Sequence, residues 1–112
     1  MDENYKRKWQ EALRNGGYLK TEGVLRDSTT GMPCFCAVGV LADIFVQESD
    51  NYYWDEDDYL VDKTTKLKYY DSLPREVLSM IGLEAYDECV ITAINDKEDT
   101  DFDQVADALE RY

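Results

Sequence analysis

Apolar positions in this chain gather in one stretch. From Cys34 to Val46 the sequence reads Cys-Phe-Cys-Ala-Val-Gly-Val-Leu-Ala-Asp-Ile-Phe-Val, thirteen residues with a single charge, Asp43. The run is too short to cross a bilayer, which needs about 20 apolar residues. It has the length of three helical turns, and apolar side chains lie all round it, so the pattern predicts a central helix over residues 35–47, buried on most faces. Pro33 stands where a proline opens a helix without losing a hydrogen bond. Gly39 would let another backbone come close. Asp43 requires an edge position or a partner.

The flanking pattern is polar and punctuated. Asp2 is placed to cap a first helix running to about Arg14, with Tyr5, Trp9, Ala12 and Leu13 on one face. Asn15-Gly16-Gly17 ends it. Tyr18 to Arg26 reads as an extended arm, residues 27–33 as turn chemistry, and Cys34 to Cys36 as a brief return strand, a hairpin that would deliver Cys36 to the start of the central helix. Tyr59–Asp62 and Lys66–Tyr70 flank Lys63-Thr64-Thr65 as a second hairpin, whose basic arm would face acidic residues across the strands. A short helix is expected over Pro74–Met80, capped by Ser72 or Leu73 and stopped by Gly82. Glu84–Asn95 is ambiguous: Cys89–Ile94 has strand propensity, while a short helix fits the turn at Asn95-Asp96. Asp101 with Gln104 forms a capping box ahead of a stripe of Phe102, Val105, Ala106 and Leu109, a last helix expected to pack on the central one. The expectation is one α+β domain over residues 1–112, with about four helices packed around one or two short β-hairpins.

Charge changes this picture more than composition does. The chain carries 25 acids against 12 bases, a net charge of −13. Such a surface opposes direct binding to nucleic acid or to an anionic membrane and favours basic partners. From Glu48 to Asp62 there are seven acids and no base, interleaved with Tyr52, Tyr53, Trp54 and Tyr59. A solvated acidic loop is the plain reading. The functional one is a protein-binding face made of Tyr52, Tyr53, Trp54, Asp55, Glu56, Asp57, Asp58 and Tyr59, with aromatic contact area and steering carboxylates. The N-terminus has no apolar stretch of the kind a secretory leader carries.

The chain has no histidine. That removes Ser-His-Asp and Cys-His mechanisms and the commonest zinc ligand. Three cysteines, Cys34, Cys36 and Cys89, fit a reducing cytoplasm and buried apolar roles. Cys36 at a helix start lacks a base to activate it, so a structural role is the better reading, and Cys36→Ser is expected to cost stability. Asp99, Asp101, Asp103, Asp107 and Glu110 have calcium-loop spacing but lack the glycine at position six and sit on a helical pattern, so no metal is assigned. No phosphate loop is present, and no cofactor is expected.

Several segments also resemble one family in order along the chain. Phe35-Cys36-Ala37-Val38-Gly39-Val40-Leu41-Ala42-Asp43 is similar to the F-C-C-L-G-V-L-C-D signature of small uncharacterised phage and prophage proteins. Glu11–Tyr18 resembles that family's E-A-L-R-S-G-E-Y. Leu73–Val77 with Ile81-Gly82-Leu83 resembles L-P-x-E-V-x-x-W-L-G-L. Ile94-Asn95-Asp96 with Phe102–Glu110 resembles L-N-D followed by F-A-E-I-A-D-L-I-E. The departures are Ala37, Ala42 and Ser79-Met80. The resemblance implies a phage source and names no activity.

Composition and resemblance together lead to an acidic, non-enzymatic, phage-type accessory protein of the host cytoplasm. It would bind a basic or nucleic-acid-binding host protein and inhibit or redirect it, as a DNA mimic or anti-defence protein. The alternative is an enzyme or small-ligand domain centred on Cys36, Asp43, Asn95 and Asp96. A structural or virion-associated part is the third reading.

Overall fold

Asp2 accepts a hydrogen bond from the Tyr5 N–H at 3.0 Å, and this cap starts helix α1, Glu3–Asn15. Its inner face buries Trp9 and Leu13, and Gly17, at φ +74°, turns the chain away. The computed structural model describes all of residues 1–112. The remaining elements are β1 Leu19–Lys20, β2 Arg26–Asp27, β3 Cys34–Phe35, α2 Ala37–Glu48, β4 Tyr52–Trp54, β5 Leu60–Asp62, β6 Lys68–Tyr69, α3 Arg75–Ile81, α4 Ala85–Asp96 and α5 Phe102–Ala108, closed by a 3-10 turn over Leu109–Arg111. The architecture is α+β, with five helices against two small three-stranded sheets, in the orders β1-β3-β2 and β4-β5-β6.

Helix α2 is the centre of the packing, as its apolar run predicts. Residues Ala37 to Ala42 are all buried, together with Ile44 and Phe45. Its start is tied down from three directions. Trp9 donates its indole N–H to Ala37 O at 2.8 Å, Asn95 accepts the Ala37 N–H at 3.0 Å, and Cys36 donates its N–H to Leu25 O at 3.2 Å. The helix begins one residue after Cys36, which is the N-cap: its Sγ accepts the Gly39 N–H at 3.3 Å. This alters the expectation for Cys36→Ser. Serine is a favoured N-cap and keeps the bond, so Cys36→Ser is expected to stay within about 1 kcal/mol of the parent, whereas Cys36→Ala should lose roughly 1 kcal/mol with the cap. Urea unfolding of both variants checks this; a serine variant less stable than the alanine one would show that apolar contact dominates.

The first hairpin differs from expectation. Gly23, at φ +80°, breaks the arm from Tyr18 to Arg26, so only its two ends are strands. They flank β3 from opposite sides, β1 parallel and β2 antiparallel. Leu25 between them is fully buried. The second hairpin forms as expected, β5 against β6, and β4 adds a third strand, with Tyr52 opposite Asp62. The Leu25 N–H donates to Tyr70 O at 2.9 Å, linking the two sheet regions.

Glu84–Asn95 resolves as a helix, α4, which seats Ile91 and Asn95 in the interior. Glu88 on its inner side accepts the Leu73 N–H at 2.8 Å, and burial pushes its carboxyl above the ordinary range. Helix α3 starts one residue later than expected, with Pro74 as N-cap, and ends at Gly82 in the left-handed conformation. The capping box of α5 forms, Asp101 accepting from the Gln104 N–H at 2.9 Å. Its stripe of Phe102, Val105, Ala106 and Leu109 is buried. The partner, though, is chiefly α1 rather than α2: Gln10 donates to Ala106 O at 3.0 Å and Arg14 pairs with Asp107 at 2.7 Å. α2 is already covered by α1, α4 and the strands β3 and β4. No helix is long and apolar enough to cross a membrane.

Candidate functional site

Residues 55–58 form the tight turn between β4 and β5, and the turn is built by its own carboxylates. Asp55 accepts the N–H groups of Asp57 and Tyr59 at 2.9 and 3.0 Å, an Asx-type arrangement. Burial pushes the Asp55 carboxyl upward, but the Tyr59 N–H, Lys68 and the Asp57 N–H outweigh it and hold it below the usual range. Asp58, in a left-handed conformation at φ 65°, is buried and takes Arg26 at 2.6 Å and the Ser28 N–H at 2.9 Å. Asp62 does the same for the next turn: the Thr65 and Thr64 N–H groups hold its carboxyl low.

This changes the sequence reading of residues 48–62 as a cluster without nearby cations. In space, Arg26 and Lys68 pair with Asp58 and Asp55, Lys68 lies 5.5 Å from the Tyr59 ring centre, and Lys63 lies 5.9 Å from that of Tyr53. Of the eight residues assigned to a binding face, Tyr52 and Asp58 are buried, Trp54, Asp55 and Tyr59 are half-buried, and only Tyr53, Glu56 and Asp57 are exposed. Trp54 is held from within, its indole N–H donating to Asp43 at 2.9 Å. The turn residues therefore shape the fold first; the side chains free to meet a partner are Tyr53, Glu56 and Asp57.

The alternative grouping of Cys36, Asp43, Asn95 and Asp96 divides in two. Cys36, Asn95 and Asp96 meet at the start of α2. Asn95 is fully buried; its oxygen accepts from Ala37, and its amide donates to Thr21 O at 3.1 Å and Asp96 at 2.9 Å. Asp96 also accepts the Gly23 N–H at 3.3 Å. Burial pushes the Cys36 thiol up to about 11, which keeps it protonated and unreactive at neutral pH. The Asn95 and Asp96 side chains fasten the 21–25 loop and α4 to α2, while the Cys36 side chain caps α2 itself. Of the other cysteines, Cys34 is half-buried and Cys89 exposed, so the expectation of three buried cysteines holds only for Cys36.

Asp43 lies elsewhere, on the side of α2 facing β1 and β4. It accepts from Tyr18 at 2.6 Å, Gln47 at 2.8 Å and Trp54. These are the partners its position in an apolar helix demanded. Burial, then the Asp43 contact, pushes the Tyr18 phenol well above its ordinary range. The network forms one wall of a cleft of about 410 Å3 that also includes Phe35 and Arg26, whose guanidinium lies 5.8 Å from the Phe35 ring centre and 5.7 Å from that of Trp54. Sequence reasoning missed Tyr18, Arg26 and Gln47. Gln47 stands one helical turn after Asp43, a local i,i+4 spacing that could have marked it; Tyr18 and Arg26 meet Asp43 and Asp58 only through the tertiary fold. Asp103 and Asp107 stand on α5, so the calcium-loop spacing wraps nothing.

Helices around a buried central helix, with motif side chains engaged in holding it, define a small acidic α+β domain. The chain belongs to the family described as Domain of unknown function (DUF8296), whose model matches residues 1–112. No curated protein and no solved structure matches it.

Proposed function

We propose that this is a phage-type accessory protein without catalytic activity, which binds a basic or nucleic-acid-binding protein of the host and inhibits or redirects it. The observation that carries this reading is the uncompensated negative surface. Asp55, Asp58 and Asp62 are engaged internally and Glu48 pairs with Lys8, but Asp50, Glu56 and Asp57 remain exposed around them. Residues 84–110 add ten carboxylates against one lysine; Glu88 is buried and Asp107 pairs with Arg14, and the other eight enter no ion pair. Among the exposed cations, Lys8, Arg14 and Lys68 already sit in ion pairs. A duplex presents about one charge per 1.7 Å of axis, and a dense carboxylate surface suits the same basic grooves.

The test is capture of a host protein at low salt, followed by association kinetics across a salt series. Glu56→Gln with Asp57→Asn is the informative variant, since neither side chain is buried and Asp55 and Asp58 stay intact to hold the turn. It is expected to lower the on-rate and flatten the salt slope with little change in off-rate, as loss of rim charge does. An unchanged slope removes this turn from the interface. Capture that is insensitive to salt would end the electrostatic reading altogether.

A further inference from the structure

The outer face of the β4-β5-β6 sheet is unlike the rest of the surface. Trp54, Leu60 and Tyr69 form the cross-strand row that turns inward, where Leu60 joins the core. The next row, Tyr53, Val61 and Lys68, turns outward. Val61 is buried but stands apart from the main core, so side chains of this face cover it. Lys63 Nζ lies 5.9 Å from the Tyr53 ring centre, Lys68 Nζ lies 5.5 Å from that of Tyr59, and the Tyr59 and Tyr70 rings are 5.6 Å apart. These contacts place aromatic rings and lysines together on one face. Tyr53 is 42% exposed and Tyr70 50%, so both rings keep a side open to solvent.

Charge is divided between the two ends of this face. The β4–β5 turn carries Glu56 and Asp57, and the β5–β6 turn carries Lys63 and Lys66; all are exposed and none enters an ion pair. Residues 63–70 hold three lysines and no acid, in a chain of 25 acids and 12 bases. Antiparallel pairing sets the turns apart: Asp55 bonds Tyr59 beside the first, and Lys63 bonds Asn51 at the opposite end. The run of β5 from Tyr59 to Lys63 spans about 13 Å at the rise of a strand. Between the ends stands Lys68, and Asp55 neutralises it at 3.1 Å.

We propose that this face pairs with the same face of a second copy of the chain, across a two-fold axis along the Tyr53-Val61-Lys68 row. That axis reverses the second sheet end for end. Lys63 and Lys66 of each copy then meet Tyr59, Tyr70, Glu56 and Asp57 of the other, so every contact is made twice. Tyr53 meets its counterpart near the axis. Lys68 meets its own counterpart too, and its pairing with Asp55 offsets that like charge. A uniformly acidic partner would suit the lysine end and be repelled at the other, and a basic one the reverse. A reversed copy suits both ends, and this selects it. The net charge of −13 opposes association, but screening over about 8 Å at physiological salt leaves the outcome to groups near contact. A face of three short strands falls below the roughly 800 Å2 per partner of a stable complex, so the dimer is a weak one. The inference goes beyond the host-partner reading and needs only this chain.

The test is sedimentation equilibrium of the whole protein at physiological salt, from about 10 µM to about 1 mM, the range suited to a small interface. The weight-average mass is expected to rise toward that of a dimer. Lys63→Glu with Lys66→Glu should stay monomeric throughout, and so should Glu56→Lys with Asp57→Lys. The second variant is the sharper one: it brings the net charge of −13 four units nearer neutral, yet should associate less than the parent. An equimolar mixture of the two variants should associate as the parent does, because the exchanged charges are complementary again at both ends. All the changed side chains are exposed, and thermal midpoints near the parent's show that each variant is folded. In the parent alone, NMR ring signals of Tyr53 and Tyr70 should shift with concentration, while those of Tyr86, 75% exposed on α4, stay fixed. A parent that is monomeric at about 1 mM, well above the range for such an interface, overturns the proposal. So does either variant associating alone as the parent does, a mixture that stays monomeric, or shifts at Tyr86 in place of Tyr53 and Tyr70. A monomeric parent leaves the host-partner reading as it stands; a dimer with no basic host protein captured does the reverse.

Discussion

Gly39→Ala is expected to be among the most damaging single methyl additions this protein can receive. Within a helix the change should gain roughly 1 kcal/mol from propensity alone. Packing reverses the sign. A Cβ at Gly39 would stand 1.8 Å from Leu25 O and 2.7 Å from its carbonyl carbon, so the obstacle is backbone rather than a flexible side chain. Leu25 cannot withdraw freely. Its oxygen holds the Cys36 N–H, its own N–H is bonded to Tyr70 O, and its side chain is fully buried. Separating α2 from that loop would strain the cap, the loop and the link to the second sheet together. The loss should reach or exceed about 3 kcal/mol, the upper part of the range for overpacked cores. In a domain of this size that lowers the thermal midpoint by about 10–20 °C. Gly17→Ala is the control: nothing lies within 4 Å of its added Cβ, and only the left-handed backbone at φ +74° resists it. That should cost about 1 kcal/mol. If Gly39→Ala unfolds within 1 kcal/mol of the parent, on the order of the propensity term, the close approach to Leu25 has been misjudged.

Asn95→Asp should be comparably severe at neutral pH and should carry a signature in its pH dependence. Asn95 uses an acceptor toward Ala37 and donors toward Thr21 O and Asp96, all at a fully buried position. An ionised carboxylate there keeps the first bond, loses both donors, and faces a carbonyl oxygen and the Asp96 side chain. Removing partners from buried polar groups costs about 1–3 kcal/mol each, and like charge adds to it. Burial and that repulsion raise the folded-state pKa of the introduced carboxyl above its unfolded value near 3.9. A raised folded pKa means the folded state binds the proton more tightly. The variant therefore loses least below the unfolded pKa and progressively more as pH rises through the folded one. Urea midpoints for variant and parent should converge on going from pH 7 toward pH 4. A deficit that is independent of pH would place Asn95 in a wetter setting than the fold shows.

Both effects sit on residues of the segments singled out in the sequence, and both are structural. Gly39 and Asn95 belong to the fastening of α2, along with Cys36 and Trp9. Asp43 lies apart from them and bonds Tyr18, Gln47 and Trp54 instead. Functional attention moves instead to groups the fold leaves free: Tyr53, Glu56 and Asp57 on the turn.

What the chain determines locally was legible without coordinates. The thirteen-residue apolar run made α2 the buried centre, because a helix with apolar side chains all round has no wet face. Caps are local chemistry, so Asp2, Asp101 with Gln104, and Gly82 marked helix ends correctly. The close approach at Gly39 was also readable, since a glycine inside an otherwise bulky helix calls for one. Tertiary structure decided the rest. It drew α5 onto α1, because α2 had no face left to offer. It placed β1 parallel to β3, across a chain turn at Gly23 that no alternation of residues reveals. Most of all, it changed what the acidic segment means. Charge counted along a sequence knows nothing of Arg26, 32 positions from Asp58, or of Lys68 beside Asp55. Carboxylates that look unopposed in sequence are, in the fold, the acceptors that close its turns, since electrostatic energy depends on distance through space and not along the chain.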